Sequence, residues 1–217
     1  MKGKVFCIGM NKTGTTSLHA LFLMMGFRSF HGMYSDIVNL KDPHHRIFSE
    51  YDCFSDGEMH DFVFLDQNFP GSKFILTSRR LDQWLVSRIK HVQKRRNLGR
   101  TGWMRMEYEQ NPEAALKNWI TRRQEYHGKV FDYFRNRDDE FLAINICNSN
   151  GSDEHLIRKI SAFLGVAAPT ITSLPWANQS PDLTSTGGQH EFPSPEEQVR
   201  RVLSGLNFPE DAWNAEI

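Results

Sequence analysis

Residues 7–18 read Cys-Ile-Gly-Met-Asn-Lys-Thr-Gly-Thr-Thr-Ser-Leu, and this stretch restricts the fold more than any other. Val5–Ile8 is a short apolar run bounded by Gly9, the pattern of a buried strand. From Thr15 onward, Leu18, Leu21, Phe22 and Met25 recur at helical spacing until Gly26 ends the pattern. A strand that turns through a glycine-bearing loop into a helix start gathers backbone N–H groups in one place. The helix dipole adds roughly half a positive charge there. Lys12 brings a full charge, and Thr15, Thr16 and Ser17 bring hydroxyl donors. A plain strand-to-helix turn accounts for Gly14 and one capping hydroxyl. It does not account for a lysine inside the loop with three hydroxyls behind it. The stretch therefore reads as a phosphate-binding loop.

The rest of the chain alternates strand and helix patterns. Phe27–Phe30, Asp52–Ser55, Lys73–Thr77 and residues 141–146 (FLAINI) read as further strands. Helical spacing runs through Phe62, Leu65 and Phe69, through Leu81–Val92, and from a cap at Asn111-Pro112-Glu113 towards Phe134. Asp153–Leu164 forms another amphipathic pattern, stopped by Gly165. Beyond Val166 the sequence turns to Pro, Ser, Thr and Asn, with only Glu196–Leu203 helical. This predicts a single α/β domain over 1–217, with a core over about 4–165 and a loop-rich tail over 166–217. Its parallel sheet would be flanked by helices on both faces. Ligands of such sheets sit at the carboxyl ends of strands, where Gly9–Ser17 falls.

Lys and Arg total 26, as do Asp and Glu, so no whole-molecule field draws the chain to nucleic acid or an acidic membrane. Cys7, Cys53 and Cys147 lie in apolar runs and read as reduced, core-filling thiols. No apolar run approaches ~18 residues and no leader precedes the first strand, so a cytoplasmic protein is expected.

A nucleoside-triphosphate loop reads G-x-x-x-x-G-K-[ST]. Gly9 and Gly14 have that separation and Thr16 the hydroxyl position, but Thr15 stands in the lysine's place and the lysine has moved to Lys12. The cradle is kept while the contact to β- and γ-phosphates is lost, which argues against ordinary ATP use. Instead, GMNKTGTTSL resembles the 5′-phosphosulfate loop of sulfotransferases that use 3′-phosphoadenosine 5′-phosphosulfate (PAPS). The resemblance implies that Lys12 meets the bridging oxygen and sulfuryl group, and that Thr13, Gly14, Thr15, Thr16 and Ser17 hold the 5′-phosphate. It also implies a 3′-phosphate site, built in that family from an arginine at a strand end and a serine eight positions later. Arg79 and Ser87 in KFILTSRRLDQWLVSR meet this spacing. A guanidinium fork plus a hydroxyl suits a phosphate dianion. Arg80 and Leu81 stand where many members carry aspartate and proline, so Arg79 and Arg80 remain alternatives. PGSKFIL and Trp84 resemble a small bacterial-type branch, as does Asn178 in PWANQS. The implied fold is P-loop-like, with three layers.

Sulfuryl transfer needs an in-line acceptor and a stabilised leaving phosphate. A sulfuryl group carries less charge than a phosphoryl group, so no metal is expected. A hydroxyl or amine of a small molecule or glycan is the expected acceptor, and an alcohol needs a general base. The family places that base after the strand preceding the 3′-phosphate strand, where this chain reads CFSDGEMH. Asp56 is the first choice and Glu58 the second, although Asp56 also reads as the cap of the helix towards Phe69. His31, His60 and His19 are further candidates. The basic segment 90–105 reads first as a solvated helix end and mobile loop, then as a lid. Loops 31–50, 93–111 and 166–195 would shape the acceptor pocket, with Met33, Tyr34, Trp103 and Tyr108 giving apolar contact. A nucleotide kinase or NTPase is the main rival reading. A nucleic-acid-binding module is a lesser one.

Overall fold

The computed structural model describes residues 3–147, 153–175 and 193–206. Five short strands, β1 (Val5–Cys7), β2 (Ser29–His31), β3 (Cys53–Ser55), β4 (Lys73–Ser78) and β5 (Phe141–Asn145), pair in parallel in the order β2-β3-β1-β4-β5. The helices are α1 (Thr15–Met24), α2 (Tyr34–Asn39), α3 (Ile47–Glu50), α4 (Phe62–Asn68), α5 (Leu81–Asn97), α6 (Trp103–Gln110), α7 (Pro112–Tyr133), α8 (Glu154–Leu164) and α9 (Pro195–Gly205). This is the α/β architecture that the alternating pattern predicts, in the P-loop-like form that the resemblance implies.

Side-chain alternation gives the sheet two chemically different faces. One register row holds a phenylalanine on every strand: Phe30, Phe54, Phe6, Phe74 and Phe141 in spatial order. Phe6 lies 5.2 Å from Phe54 and 5.7 Å from Phe74, centroid to centroid. Phe48 of α3, Phe69 and Phe134 pack onto this row. The opposite face is aliphatic: Val5, Cys7, Cys53, Ile75 and Ile144 meet Leu18, Leu21 and Phe22 of α1 and Ile157 and Ile160 of α8. Cys7 and Cys53 are core residues, as the sequence suggests.

The chain groups into two compact units. The first holds the sheet, α1–α4, α8 and the chain through Arg79. The second runs from Arg80 to His127 and includes α9. Its centre is cationic: Arg88, 2% exposed, lies between Trp84 at 4.7 Å and Trp119 at 4.9 Å. Glu107 of α6 accepts from Trp119 Nε1 at 2.9 Å and pairs with Arg122. Lys90 of α5 pairs with Glu196 of α9 at 2.9 Å.

Several local expectations need correction. Residues 93–110 are mostly helical, since α5 continues to Asn97 and α6 follows, where a mobile loop was expected. The apolar period is hidden because cation–ring stacking and ion pairs do its work, with Arg105 bonded to Glu109 one turn on. Asp61, not Asp56, caps α4, its carboxylate accepting from Phe64 N–H at 2.9 Å. Tyr34 is core, its hydroxyl donating to the Cys7 carbonyl at 2.7 Å, and Tyr108 is buried with its hydroxyl on Gln198. Neither offers a face to an acceptor. Asn111 does cap α7, and Gly165 closes α8 in the left-handed conformation. Asn178 lies outside the described residues.

Phe6→Ala should cost about 3–5 kcal/mol, the usual range for truncating a buried phenylalanine. Urea denaturation checks this, and a loss below about 1 kcal/mol would deny the phenylalanine row its structural role.

Candidate active site at the carboxyl edge of the sheet

The loop leaving β1 leans across β4. A Cβ at Gly9 would lie 2.1 Å from Thr77 Oγ1 and 2.5 Å from the Thr77 carbonyl oxygen, so only glycine allows this approach. Thr13, 1% exposed, donates its hydroxyl to the Met10 carbonyl at 2.5 Å and shares a 2.7 Å hydrogen bond with the Thr77 hydroxyl. Its side chain is spent on holding the loop. Lys12 adopts φ 68°, and Gly14 adopts φ 91° as the N-cap of α1. Gly14 carries no side chain to cap the first turn, so the amides of that turn point out of the helix start. A Cβ at Gly14 would meet Ile146 Cγ2 at 2.1 Å and Cys147 Sγ at 3.2 Å. Thr15 and Ser17 are buried beneath the loop, and Thr16 is half-buried.

Arg79 follows the carboxyl end of β4, and Cys147 follows that of β5. Burial raises the Cys147 thiol pKa, while the charges of Arg79 and Lys12 both pull it down. One sulfur atom thus feels both cations, with Gly14 pressed beside it. Arg80, by contrast, is turned to Asp82, with Nη2 at 3.0 Å from its carboxylate. Ser87 lies buried on α5, in the second unit.

The exits of β2 and β3 carry the acid–base candidates. Asp56 has φ 109°, a conformation that side-chain-bearing residues seldom adopt. Its carbonyl accepts from His60 Nε2 at 3.2 Å, and Gly57 next to it leaves room for that imidazole. His60 is stacked on Tyr34, and burial lowers its pKa to about 4, so it is a neutral packing residue. Glu58 is anchored through its backbone N–H to Ser35 Oγ. His31 has a contact at each ring nitrogen. Its Nδ1 lies 2.7 Å from the Ser55 carbonyl, and its Nε2 lies 3.2 Å from Thr16 Oγ1 in the loop. His19 stacks on it at 5.1 Å, and burial together with His31 lowers the His19 pKa.

Residues 4–183 match the sulfotransferase domain family. The chain belongs to the sulfotransferase family. Among solved structures, a sulfotransferase from Alicyclobacillus acidocaldarius is similar over 99% of this chain and 100% of its own, with 15% identity and a TM-score of 0.54. That likeness concerns the fold. A search of curated protein sequences gives no match. Among the described residues, no group of three or more His, Cys, Asp and Glu has the arrangement of a metal site, and no helix is long and apolar enough to cross a membrane.

A sulfotransferase needs a sulfonate donor and a place to hold it, and the β1–α1 loop gives backbone amides, Lys12 and nearby Arg79 at one edge. Two members of this edge are named in the sequence reading but not set apart by it. Cys147 packs against the aliphatic core as expected, and the fold also sets it beside Gly14. His31 stands out from the other histidines only through its contacts with Ser55 and Thr16, which residue spacing does not show.

The convergence on Cys147 can be measured without any ligand. Cys7 and Cys53 are buried with strongly raised pKa values, so alkylation at moderate pH reports Cys147. Lys12→Ala and Arg79→Ala should each raise its pKa further and slow iodoacetamide labelling at fixed pH. Unchanged rates in both variants would place the two cations away from the thiol.

Proposed function

We propose that this sulfotransferase takes its sulfuryl group from PAPS and passes it to a hydroxyl or amine of a small-molecule or glycan acceptor. The observation that carries the reading is the glycine-bearing loop with Lys12 pressed against the exits of β4 and β5, with Arg79 directly after β4. An ammonium in a glycine-bearing cradle and a guanidinium at the next strand's exit suit a nucleotide with phosphates at both its 5′ and 3′ positions. The loop's course is sterically specific, because Gly9 and Gly14 leave no room for a Cβ where it approaches β4 and the β5 exit.

The chain's residues divide the work by position. Backbone amides of 12–17 hold the 5′-phosphate, and the first turn of α1 adds its dipole. Lys12 offsets charge as the leaving phosphate oxygen departs. Arg79, rather than Arg80 with its Asp82 partner, takes the 3′-phosphate. Asp56 receives the acceptor's proton. Its unfavourable φ, held by the His60 contact, sets the residue at the β3 exit rather than in the α4 cap. Cations of the basic segment already have partners, with Arg96 and Arg105 both on Glu109, which weakens a nucleic-acid reading.

Calorimetry with adenosine 3′,5′-bisphosphate, ADP and ATP tests the donor. The bisphosphate should bind most tightly, and Lys12→Ala should abolish transfer while the fold survives. A preference for ATP with magnesium-dependent turnover would instead favour a kinase or NTPase. Asp56→Asn should lower turnover by roughly 100- to 10,000-fold, the range for loss of a general base. Full activity in that variant would move the role to Glu58 or a histidine.

A further inference from the structure

We propose that the corner between α5 and α6 docks on an anionic lipid bilayer, with Leu98, Trp103 and Met106 entering the headgroup layer and Lys94, Arg95 and Arg100 meeting its negative charge. The inference is independent of the donor reading above.

Residues 83–106 contain seven Lys and Arg and no Asp or Glu, in a chain whose charges balance overall. Part of this charge is used internally. Arg88 lies between Trp84 and Trp119, Lys90 pairs with Glu196, and Arg96 and Arg105 lie on Glu109. Lys94 and Arg100 are exposed and form no ion pair among the described residues. Arg95 donates to the Thr101 carbonyl at 2.5 Å, a bond that leaves its charge unneutralised. The same corner carries the apolar exposure. Leu98 is 57% exposed, Trp103 42% and Met106 67%, and among the described residues of this unit the other large exposed apolar side chain is Leu206.

Local geometry keeps these side chains together. Gly99 ends α5 in the left-handed conformation at φ 65°, its N–H on the Arg96 carbonyl and the Arg100 N–H on the Arg95 carbonyl. Helix ends of this kind usually pack an apolar pair at the two outer positions. Here those positions hold Arg95 and Arg100, while the apolar residue, Leu98, is the exposed cap. Arg105 Nη1 donates to the Arg100 carbonyl at 3.0 Å, so guanidinium groups strap the turn from both sides. Trp103 opens α6 with Arg122 at 5.1 Å over its ring, and Met106 stands one turn further along the same face. Cations beside exposed apolar side chains suit an interface that offers both negative charge and hydrocarbon. Tryptophan favours the headgroup level of such an interface. Nucleic acid offers no hydrocarbon layer to Leu98 and Met106.

The test is co-sedimentation of the full chain with vesicles of phosphatidylcholine alone and of phosphatidylcholine mixed with phosphatidylglycerol. The chain should pellet with the anionic vesicles far more than with the neutral ones, and added salt should weaken the binding. Lys94→Gln/Arg100→Gln should weaken it roughly 25-fold, about fivefold for each cation. Leu98→Ser/Met106→Ser keeps every charge and should weaken it roughly tenfold. Melting followed by circular dichroism checks that both variants fold. Lipids with brominated acyl chains should quench part of the tryptophan fluorescence of wild type but not of Trp103→Phe, a readout that serves even if a double variant misfolds. No pelleting with anionic vesicles, or equal pelleting with neutral ones, would overturn the proposal. Leu98→Ser/Met106→Ser binding as tightly as wild type would make the corner a charge-only site, open to nucleic acid, and would overturn the lipid assignment.

Discussion

Everything at the carboxyl edge depends on how closely the β1–α1 loop lies against its neighbours. Gly9 touches the Thr77 backbone, the Thr13 and Thr77 hydroxyls share a hydrogen bond, and Gly14 abuts Ile146 and Cys147. These contacts draw the loop across β4 towards the β5 exit instead of letting it rise straight off β1. Lys12 consequently acts on the same thiol as Arg79. A side chain at either glycine would push the loop away, and the two cations would lose their common focus. The unusual backbone of Lys12 belongs to the same construction, because it and Gly14 both take a positive φ where the loop turns into α1.

The sheet beneath makes this focus stable. Short strands of three to six residues give few backbone hydrogen bonds, so packing must fix their spacing. A phenylalanine on each strand in one register row does so on one face, and the aliphatic layer under α1 and α8 does so on the other. Aromatic rings are large and have few rotamers, which lets a small sheet hold its strand exits in place. Reactive groups then sit on short loops above a rigid base.

The strands and most helices were legible because buried runs, caps and glycine stops are local signals. The loop was legible for the same reason, since Gly9, Lys12 and Gly14 lie within six positions. What was hidden depends on distant pairs. The α6 helix is held by Glu107 and by rings stacked on arginines, so no apolar period marks it. Asp56 and Asp61 are equivalent candidates for a cap until backbone geometry separates them. His31 gains its orientation from Ser55, 24 positions on, and Cys147 gains its setting from a loop at the other end of the chain.

Diffraction from crystals soaked with adenosine 3′,5′-bisphosphate addresses the central claim most directly, that one nucleotide is gripped at both ends. Its 5′-phosphate should lie against the amides of 12–17 with Lys12, and its 3′-phosphate against Arg79. A nucleotide held only by the loop, with the 3′-phosphate pointing away from Arg79, would contradict it.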